Sequence, residues 1–401
     1  MKILFITFSD IGVCSSSNIR NVSLIQGLLK EGNTVDIITY KSSNKAVLVD
    51  KSFAPITDHC KVIPIYGRVA AEKVSSGLLA KNHEGIKKKI YHWLRKVYYS
   101  LEPVDSLRKI ALTVDIDRLD IGSYDLMISS SNPYSVHILA RRIKDRYFPQ
   151  GITWVQYWGD ALYLDTLTRH PLFPFRVKKA ERKLIELCDN IVYTNGVVLD
   201  LQKQLFPPLA DKMTFIETPY AFADSRAADI EYEVGYFGGY SSLVRDIAPL
   251  YAVLRSAAYP SVIIGNGDVA LQSEGALRVM PRASVDTVSE FERKTRILVC
   301  ICNKASDRGQ ETGLIPGKAY HYGATGKAIL VIGATPKVKE FLAGYGRYAF
   351  ADNNEEAIRK AISDLLSTEQ RQYRPLAETN PPAAARKLLT QVFPQGVNEN
   401  G

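Results

Sequence analysis

The sequence is poor in cysteine and has no long apolar run, and both absences narrow the class of protein. Its 401 residues include five cysteines, and no pair of them has zinc-finger spacing. No apolar run approaches the roughly 20 residues that a membrane-spanning helix needs. Residues 1–7 are too short an apolar run for a signal peptide and lead into a polar loop, so we interpret them as a strand. We therefore expect a protein of the reducing cytoplasm.

Metal-binding motifs are also scarce. Asp115-Ile116-Asp117 has the letters of an Asp-x-Asp motif, but it lies in a polar link at the end of a predicted helix. No cluster of His, Cys, Asp or Glu has metal-ligand spacing in the sequence. The sequence thus predicts no metal ion and no bound cofactor.

The composition is globular with an excess of positive charge. Hydrophobic residues make up 46% and charged residues 23%, which is typical of a soluble globular protein. The length suffices for two domains of ordinary size. The formal net charge of +9 favours an acidic partner, such as a phosphorylated substrate, an anionic membrane or a nucleic acid.

Short apolar strands alternate with amphipathic helices in two successive sets. Strands that are joined by helical crossovers form mostly parallel sheets. A polar stretch at 224–229 separates the sets and is interpreted as a linker. The predicted strands are 2–7, 34–39, 60–66, 124–129, 152–157, 190–194 and 213–217, followed by 233–237, 261–264, 277–280, 297–302, 328–331 and 348–351.

This alternation predicts an α/β fold of two tandem Rossmann-like domains that face a cleft. The first domain is predicted over 1–222 and the second over 230–380, and a helix within 381–401 is expected to cross back to the first. Ligands of such domains bind outside the carboxyl ends of the strands. The main predicted helices are 17–29, 245–255, 285–293, 316–324, 337–343 and 354–366.

The run Glu311–Lys327 is the most informative local pattern. Pro316 suits the first turn of a helix, which Gly323 or Gly326 would end. The free N–H groups at the tip of this helix favour an anion, and Lys318 adds a positive charge there. The run therefore predicts a diphosphate site, although an ordinary αβ unit with a solvated lysine has the same pattern.

A basic stretch, 81–109, carries eight basic and three acidic residues. Its apolar residues recur at helical spacing, and Trp93 and several tyrosines lie beside the lysines. Such a helix suits the headgroup layer of an anionic membrane. The alternative is an amphipathic helix that packs on its own domain with a solvated basic face.

Several segments are similar to one enzyme family. They are Lys2–Thr7 with Gly32–Thr39, Tyr236–Tyr240 followed by Arg245, Ile263–Gly267, Leu277–Asn303, and Pro316–Leu330. On these segments the chain resembles the GT-B glycosyltransferases, in particular the large retaining group of bacterial surface-polysaccharide synthesis. The resemblance covers nearly the whole length and implies the GT-B arrangement of two Rossmann-like domains.

The resemblance also implies an activity. A glycosyltransferase of this group would transfer a sugar from a nucleotide-sugar to a lipid-linked or polysaccharide acceptor, in capsule or O-antigen synthesis. The second domain would bind the donor and the first the acceptor, without a metal and with retention of anomeric configuration. The implied partners are the nucleotide-sugar, the lipid-linked glycan and an anionic membrane surface, with no nucleic acid. We expect a cytoplasmic protein at the inner face of the cell membrane.

Three residues are the predicted catalytic groups. Arg245 and Lys318 would stabilise the leaving diphosphate, and Asp160, after the predicted strand 152–157, would contact an acceptor hydroxyl. A solvated arginine and a capping aspartate are the alternatives for Arg245 and Asp160. The predicted donor-binding residues are Gly238, Gly239, Tyr240, Gly265, Arg282, Ile315, Pro316, His321 and Tyr322.

The predicted acceptor or cleft residues lie in the first domain. Their alternatives are helix capping for the serine-rich loop before the first helix, a solvent-facing arginine and a core tryptophan. His137 is a further helical histidine, a type that is more often structural than catalytic. The predicted residues are Gly12, Ser16, Arg20, Asn132 and Trp158.

One position departs from the family pattern. His321 stands where the family usually has a glutamate that holds the donor's ribose, and Glu311 is the acidic residue nearest to a second family position. A histidine offers a hydrogen bond but no pair of anionic acceptors. A catalytically degenerate nucleotide-sugar or glycan-binding subunit is therefore the main alternative. A nucleotide-sugar epimerase would need a carboxylate and a histidine at the anomeric site, and a nucleic-acid-binding protein would need a motif that the sequence lacks.

Overall fold

The computed structural model shows two compact units. Unit 1 comprises Met1–Ile216 with the C-terminal residues from Ala384, and unit 2 comprises Glu217–Ala383. The structure describes residues 1–41, 49–66, 97–98, 101–164, 172–224, 226, 228–242, 244–304, 313–368 and 373–394. The predicted membrane-surface helix therefore lies largely outside the described residues.

Unit 1 contains a seven-stranded parallel sheet. Its strand order is β3-β2-β1-β4-β5-β6-β7, so the chain runs outward from β1 in one direction and then returns to β1 and continues in the other. The strands are β1 (Lys2–Thr7), β2 (Thr34–Tyr40), β3 (Lys61–Ile65), β4 (Leu126–Ser130), β5 (Thr153–Trp158), β6 (Asn190–Tyr193) and β7 (Met213–Phe215).

Unit 2 repeats the same logic with six parallel strands. Their order is β10-β9-β8-β11-β12-β13, and β8 again lies between its own neighbour β9 and the later strand β11. The strands are β8 (Tyr232–Phe237), β9 (Ser261–Ile264), β10 (Leu277–Met280), β11 (Thr295–Ile301), β12 (Ala328–Ile332) and β13 (Tyr348–Ala351). The predicted α/β fold of two Rossmann-like domains is confirmed.

Helices connect the strands in both units. Those of unit 1 are α1 (Ser16–Lys30), α2 (Ala54–Thr57), α3 (Arg108–Thr113), α4 (Val136–Tyr147), α5 (Pro174–Ile185) and α6 (Gly196–Leu205). Those of unit 2 are α7 (Ala248–Arg255), α8 (Val285–Arg293), α9 (Gly317–Gly323), α10 (Pro336–Ala343) and α11 (Glu355–Ser367), and α12 (Pro381–Val392) follows. Within the described residues, none of the helices combines the length and the apolar character needed to cross a membrane.

Continuous apolar runs form the central strands because helices cover both faces of a parallel sheet. Five of the six residues of β1 are buried, and the same holds for β5. The core of unit 2 is built in the same way from the faces of its sheet and the apolar stripes of α7 and α11. Its most buried members include Val234, Leu250, Val299, Leu330 and Ile358.

The boundary between the units differs from the predicted linker. The division falls after Ile216, so Asp224 belongs to unit 2, where its carboxylate lies 3.1 Å from the guanidinium of Arg293 in α8. Asp224, the first residue of the predicted linker, is therefore paired with a helix of unit 2. Two side chains of α12 contact other elements of unit 1. The Arg386 guanidinium lies 2.7 Å from the carboxylate of Glu31, just after α1, and the Gln391 amide donates to the carbonyl of Phe215 in β7.

A buried arginine fixes the turn between α9 and β12. The two terminal nitrogens of Arg347 donate to the carbonyl oxygens of Gly323, Thr325, Lys327 and Arg374 at 2.7–3.0 Å. Burial lowers the pKa of this guanidinium. One side chain therefore satisfies three carbonyls of the turn between α9 and β12 and also the carbonyl of Arg374.

Replacing this arginine is expected to destabilise unit 2 strongly. Arg347→Met leaves four carbonyls without their donor and should lower the free energy of unfolding by about 3 kcal/mol. Urea unfolding that is followed by circular dichroism measures the change. The matched control is Arg359→Met on the exposed face of α11, which should stay within about 0.5 kcal/mol of the wild type. Equal stability of the two variants would contradict the assigned role of Arg347.

Candidate functional site

The candidate donor site of unit 2 is at the carboxyl ends of β8 and β11, where the strand order reverses. The loop after β8 packs tightly against the end of β9, because the N–H of Gly238 donates to the carbonyl of Ile264 at 2.9 Å. A Cβ on Gly265 would overlap the carbonyl oxygen of Gly238. The ring of Tyr240 likewise fills the space that a Cβ on Gly267 would need. Glycine at 265 is thus a packing requirement that brings the two strand ends close together.

Arg245 is held at the end of β11. Its Nε donates to the side-chain oxygen of Asn303 at 2.9 Å, and its backbone N–H donates to the carbonyl of Ser241 at 2.8 Å. Among the described residues, no carboxylate lies within ion-pair distance of its guanidinium. Arg245 is therefore an oriented, partly exposed cation, and no acidic side chain of the described residues neutralises its charge.

Lys318 has a carboxylate partner, which corrects the prediction of a free charge at a helix tip. Its ammonium group lies 2.9 Å from the carboxylate of Glu292, a residue that is 3% exposed. The same ammonium lies 5.5 Å from the centre of the Tyr322 ring. Pro316 is the N-cap of α9 and not its first helical residue, and α9 has only seven residues. Side-chain pairing, more than the helix end, fixes the position of this lysine.

The positive charges of Arg245 and Lys318 both act on one buried thiol, that of Cys300. Burial raises the pKa of Cys300 to about 12, and the positive charges of Arg245 and Lys318 act on this thiol in the opposite direction. Cys300 lies next to the last residue of β11. The charges of two side chains that are far apart in sequence thus act on one residue near the end of β11, the strand that pairs with β8.

The other predicted donor-binding residues have different surroundings. His321 is 2% exposed, and its ring stacks on that of Tyr220 with centroids 4.4 Å apart. Tyr322 is fully buried, and its ring lies against the ammonium group of Lys318. It therefore has no surface with which to contact a ligand. Ile315 and Pro316 are also buried, whereas Arg282 is exposed and its backbone N–H donates to the side-chain oxygen of Asn266.

Sequence reasoning missed Glu292 and Asn303. Glu292 lies on the buried stripe of α8 together with Val285 and Ser289. A carboxylate at an apolar helix position signals a buried partner, so the pattern carried a usable clue. Asn303 directly follows a buried strand, which is where ligand-binding side chains of parallel sheets occur.

The loop before α1 is organised by its own side chains. Ser15 is the N-cap of α1, and its hydroxyl accepts a hydrogen bond from the N–H of Asn18 at 3.1 Å. The Asn18 amide donates to the carbonyls of Asp10 and Val13 at 2.7 and 2.8 Å. Helix capping thus explains this loop, and the predicted residues Gly12 and Ser16 lie beside it, Ser16 being exposed.

Three predicted acceptor residues come together at the carboxyl ends of β4 and β5. A terminal nitrogen of Arg20, in α1, donates to the carbonyl oxygen of Ser131. The side-chain amide of Asn132 lies 3.5 Å from the carboxylate of Asp160. Residues from α1, the β4 loop and the β5 loop therefore form one polar cluster at the switch point of the first sheet.

Trp158 is a core residue. It is fully buried, stacks on His137 with ring centroids 4.7 Å apart, and donates its indole N–H to Gln156 at 3.0 Å. A sugar-stacking ring needs an exposed face, so the structure supports the core alternative for this residue. Sequence alone missed this because the last residue of a strand can point to either face.

His137 contacts Ser129 near the end of β4. Its Nδ1 lies 2.9 Å from the hydroxyl of Ser129, which accepts the indole N–H of Trp154 at 2.8 Å. Burial lowers the pKa of His137 to about 3, so the ring is neutral in the folded protein at neutral pH. Within the described residues, no group of three or more His, Cys, Asp or Glu side chains could hold a metal ion.

Comparison with known proteins gives the fold. No family model and no curated protein sequence matches this chain. Sucrose-phosphate synthase from Thermosynechococcus elongatus is similar with a TM-score of 0.54 at 12% identity, over 98% of this chain and 94% of that one. The N-terminal domain of Candida albicans trehalose-6-phosphate phosphatase has a TM-score of 0.58 at 8% identity, over 99% and 97%. An alpha-glucosyltransferase in complex with UDP and DNA has a TM-score of 0.52 at 13% identity, over 98% and 95%.

At these identities the likeness concerns the fold alone. It agrees with the two parallel sheets, and the chain therefore has the two-domain architecture of GT-B glycosyltransferases.

His137 is expected to make stability depend on pH. The unfolded chain binds a proton below pH 6.5, whereas the folded chain stays neutral at this residue down to about pH 3. The contribution to stability is therefore fully present above pH 6.5 and is lost as the pH falls. Between pH 6.5 and 5 the loss should be about 2 kcal/mol. Urea unfolding at several pH values tests this against His137→Gln, in which that part of the slope should vanish; an unchanged slope would remove His137 as its source.

Proposed function

We propose that this protein is a glycosyltransferase that transfers a sugar from a nucleotide-sugar donor. The observation that carries the proposal is the cation Arg245, which Asn303 orients at the switch point of the sheet in unit 2, with Lys318 in the first turn of α9. Nucleotides bind at such switch points in Rossmann-like domains. The GT-B architecture supports the proposal by analogy of fold.

The chemistry requires stabilisation of a departing diphosphate. Cleavage of the bond between the anomeric carbon and the diphosphate leaves negative charge on the phosphate oxygens. Arg245 offers a planar set of donors that matches phosphate oxygens, and Asn303 fixes its orientation. Lys318 has further N–H donors beyond the one that Glu292 accepts. We therefore assign the leaving group to Arg245 first and to Lys318 second, with no metal ion in the step and with retention of configuration.

The glycine loop would hold the rest of the diphosphate. Gly238 and Gly239 lack side chains, so their backbone can approach a ligand closely. Arg282 is exposed near the end of β10 and would lie at the nucleotide. His321 is nearly buried in its stack with Tyr220, so only an edge of it would reach a ribose hydroxyl. A degenerate binding subunit is the alternative, and it would bind the donor without turnover.

We assign the acceptor to unit 1. The Asp160 carboxylate, beside Asn132, would accept a hydrogen bond from the acceptor hydroxyl. The acceptor that we propose is a lipid-linked or polysaccharide glycan of bacterial cell-surface synthesis. A cytoplasmic enzyme with such an acceptor would work at the inner face of the membrane.

A surface around α5 supports a peripheral membrane association. Leu172, Phe173 and Phe175 expose 45%, 48% and 66% of their surfaces just before and at the start of this helix. Exposed aromatic rings beside cationic side chains suit an anionic headgroup layer. The basic residues of the helix are Arg176, Lys178, Lys179, Arg182 and Lys183, and four of them line a groove of about 630 Å³ with Phe206.

A thermal-shift screen of nucleotide-sugars tests the donor proposal. A ligand at one hundred times its Kd should add about 2.7 kcal/mol of stability. UDP-sugars come first because a similar alpha-glucosyltransferase was solved with UDP.

In the matching transfer assay, Arg245→Ala should lower kcat/KM about thirtyfold, the equivalent of about 2 kcal/mol, because the leaving group loses a charged donor. The control is the exposed Arg255→Ala in the same unit.

The outcomes of this screen separate the candidates. Stabilisation with turnover supports the enzyme, and stabilisation without turnover on any glycan supports the binding subunit. Full activity of both Arg245→Ala and Lys318→Ala would remove these residues from the site. Stabilisation by duplex DNA alone would instead favour a nucleic-acid-binding protein.

The membrane proposal predicts a specific loss of liposome binding. The double variant Phe173→Ser/Phe175→Ser should reduce flotation with phosphatidylglycerol liposomes at least about fivefold, because it removes the rings that would enter the headgroup layer. Leu112→Ser, at a residue that is 45% exposed elsewhere in unit 1, is the matched control. If both variants float like the wild type, the surface around α5 does not bind membranes.

A further inference from the structure

Arg20 is a buried cation that no acidic side chain compensates. It has 8% of its surface exposed, and none of the described residues places a carboxylate within ion-pair distance of it. One terminal nitrogen donates to the carbonyl of Ser131, and the guanidinium lies 5.3 Å from the centre of the Tyr157 ring. Within the described part of the chain, these contacts leave most of its five N–H donors without an acceptor.

The structural arginine of unit 2 makes the contrast clear. Arg347 donates four hydrogen bonds to carbonyl oxygens, whereas Arg20 donates one. A charge that is taken out of water needs compensation, and one carbonyl provides little of it. The hydrogen bond to Ser131 thus uses only one of the N–H donors of Arg20, and a purely structural role does not explain the others.

The groups around Arg20 are also unsatisfied. The Nε of Arg20, the hydroxyl of Ser131 and the hydroxyl of Tyr157 are buried, and none has a hydrogen-bond partner in the described part of the chain. The side-chain oxygen of Asn132 shares this property. Ser131 and Tyr157 are both fully buried, and they contact Arg20 through the backbone carbonyl of Ser131 and the ring of Tyr157. Two hydroxyl donors without a partner therefore belong to residues that contact Arg20, at the carboxyl ends of β4 and β5.

The absence of a side chain at Gly159 makes room for the guanidinium of Arg20. A Cβ on Gly159 would overlap the guanidinium of Arg20, so only glycine permits the arginine to lie against the β5 loop. Asp160 follows directly and is within 3.5 Å of Asn132. The loop after β5 thus packs against Arg20 at Gly159 and places the carboxylate of Asp160 at the same end of the sheet.

We propose that Arg20, Ser131 and Tyr157 form an oxyanion site that binds a phosphate or carboxylate group of the acceptor. A planar guanidinium and hydroxyl groups are donors that match a tetrahedral or planar oxyanion. The identification of the ligand as the acceptor rests on the proposed glycosyltransferase function, whereas the anion site itself does not. Asp160 would then contact a hydroxyl of the molecule whose anionic group Arg20 holds.

Anion binding is measured with simple probes. Thermal shift and calorimetric titration use sodium phosphate and sodium acetate, with sodium chloride at equal ionic strength as the baseline. A response to phosphate identifies a phosphate group, and a response to acetate identifies a carboxylate. The affinity should fall at least about tenfold in Arg20→Gln and less in Arg20→Lys, which keeps the charge but not the planar donor set.

A second variant covers the case in which Arg20→Gln fails to fold. Tyr157→Phe removes a buried hydroxyl that has no partner, so the unliganded protein should lose no stability. Its affinity for the anion should still fall about threefold or more. Arg142→Gln is the matched control, because Arg142 is an arginine of unit 1 that donates to two carbonyls, those of Ala111 and Val114.

Variants of the two units distinguish this inference from the proposed function. Arg245→Ala should keep the Arg20-dependent anion response and lose binding of the nucleotide-sugar, and Arg20→Gln should do the reverse. An anion response that is absent, or that persists unchanged in both Arg20→Gln and Tyr157→Phe, overturns the oxyanion site. Failure of every nucleotide-sugar to bind would overturn the donor proposal and leave the oxyanion site standing.

Discussion

Parallel pairing of the first strand with a much later one is the constraint on which both units depend. β1 pairs with β2 on one side and with β4 on the other, and β8 pairs with β9 and β11 in the same way. The two connections leave the central strand in opposite directions, so the loops at its carboxyl end separate and leave polar backbone accessible. Candidate site residues lie in loops that follow strands, as Arg245 and Asp160 do, or in the helix that comes next, as Lys318 does.

Four cations show how local compensation decides the role of a charge. Arg347 is satisfied by four carbonyls and has a structural role, and Lys318 is balanced by the buried Glu292. Arg245 is oriented by the neutral Asn303, and Arg20 has a single carbonyl partner. Since an uncompensated charge attracts an anion most strongly, we propose Arg245 and Arg20 as the ligand-binding cations among the described residues.

The strands were predictable because buried parallel strands are continuous apolar runs between polar loops. The predicted strands 261–264, 277–280 and 348–351 have the bounds that the structure gives for β9, β10 and β13. The unit boundary was harder, because a polar stretch looks like a linker until its ion pairs are known. Asp224 belongs to such a stretch and is held by Arg293.

The sequence by itself determined the two sets of alternating strands and helices, and thereby the parallel sheets, because hydrophobic periodicity is a local property. It also marked Arg245 by its position after a strand and its glycine loop, and Lys318 by its position at the start of a predicted helix. Only the tertiary structure decided which of these charges has a carboxylate partner, since Glu292 is 26 residues from Lys318 in sequence. The burial of Trp158 and the isolation of Arg20 were decided in the same way, because solvent exposure and partners depend on residues that only folding brings together.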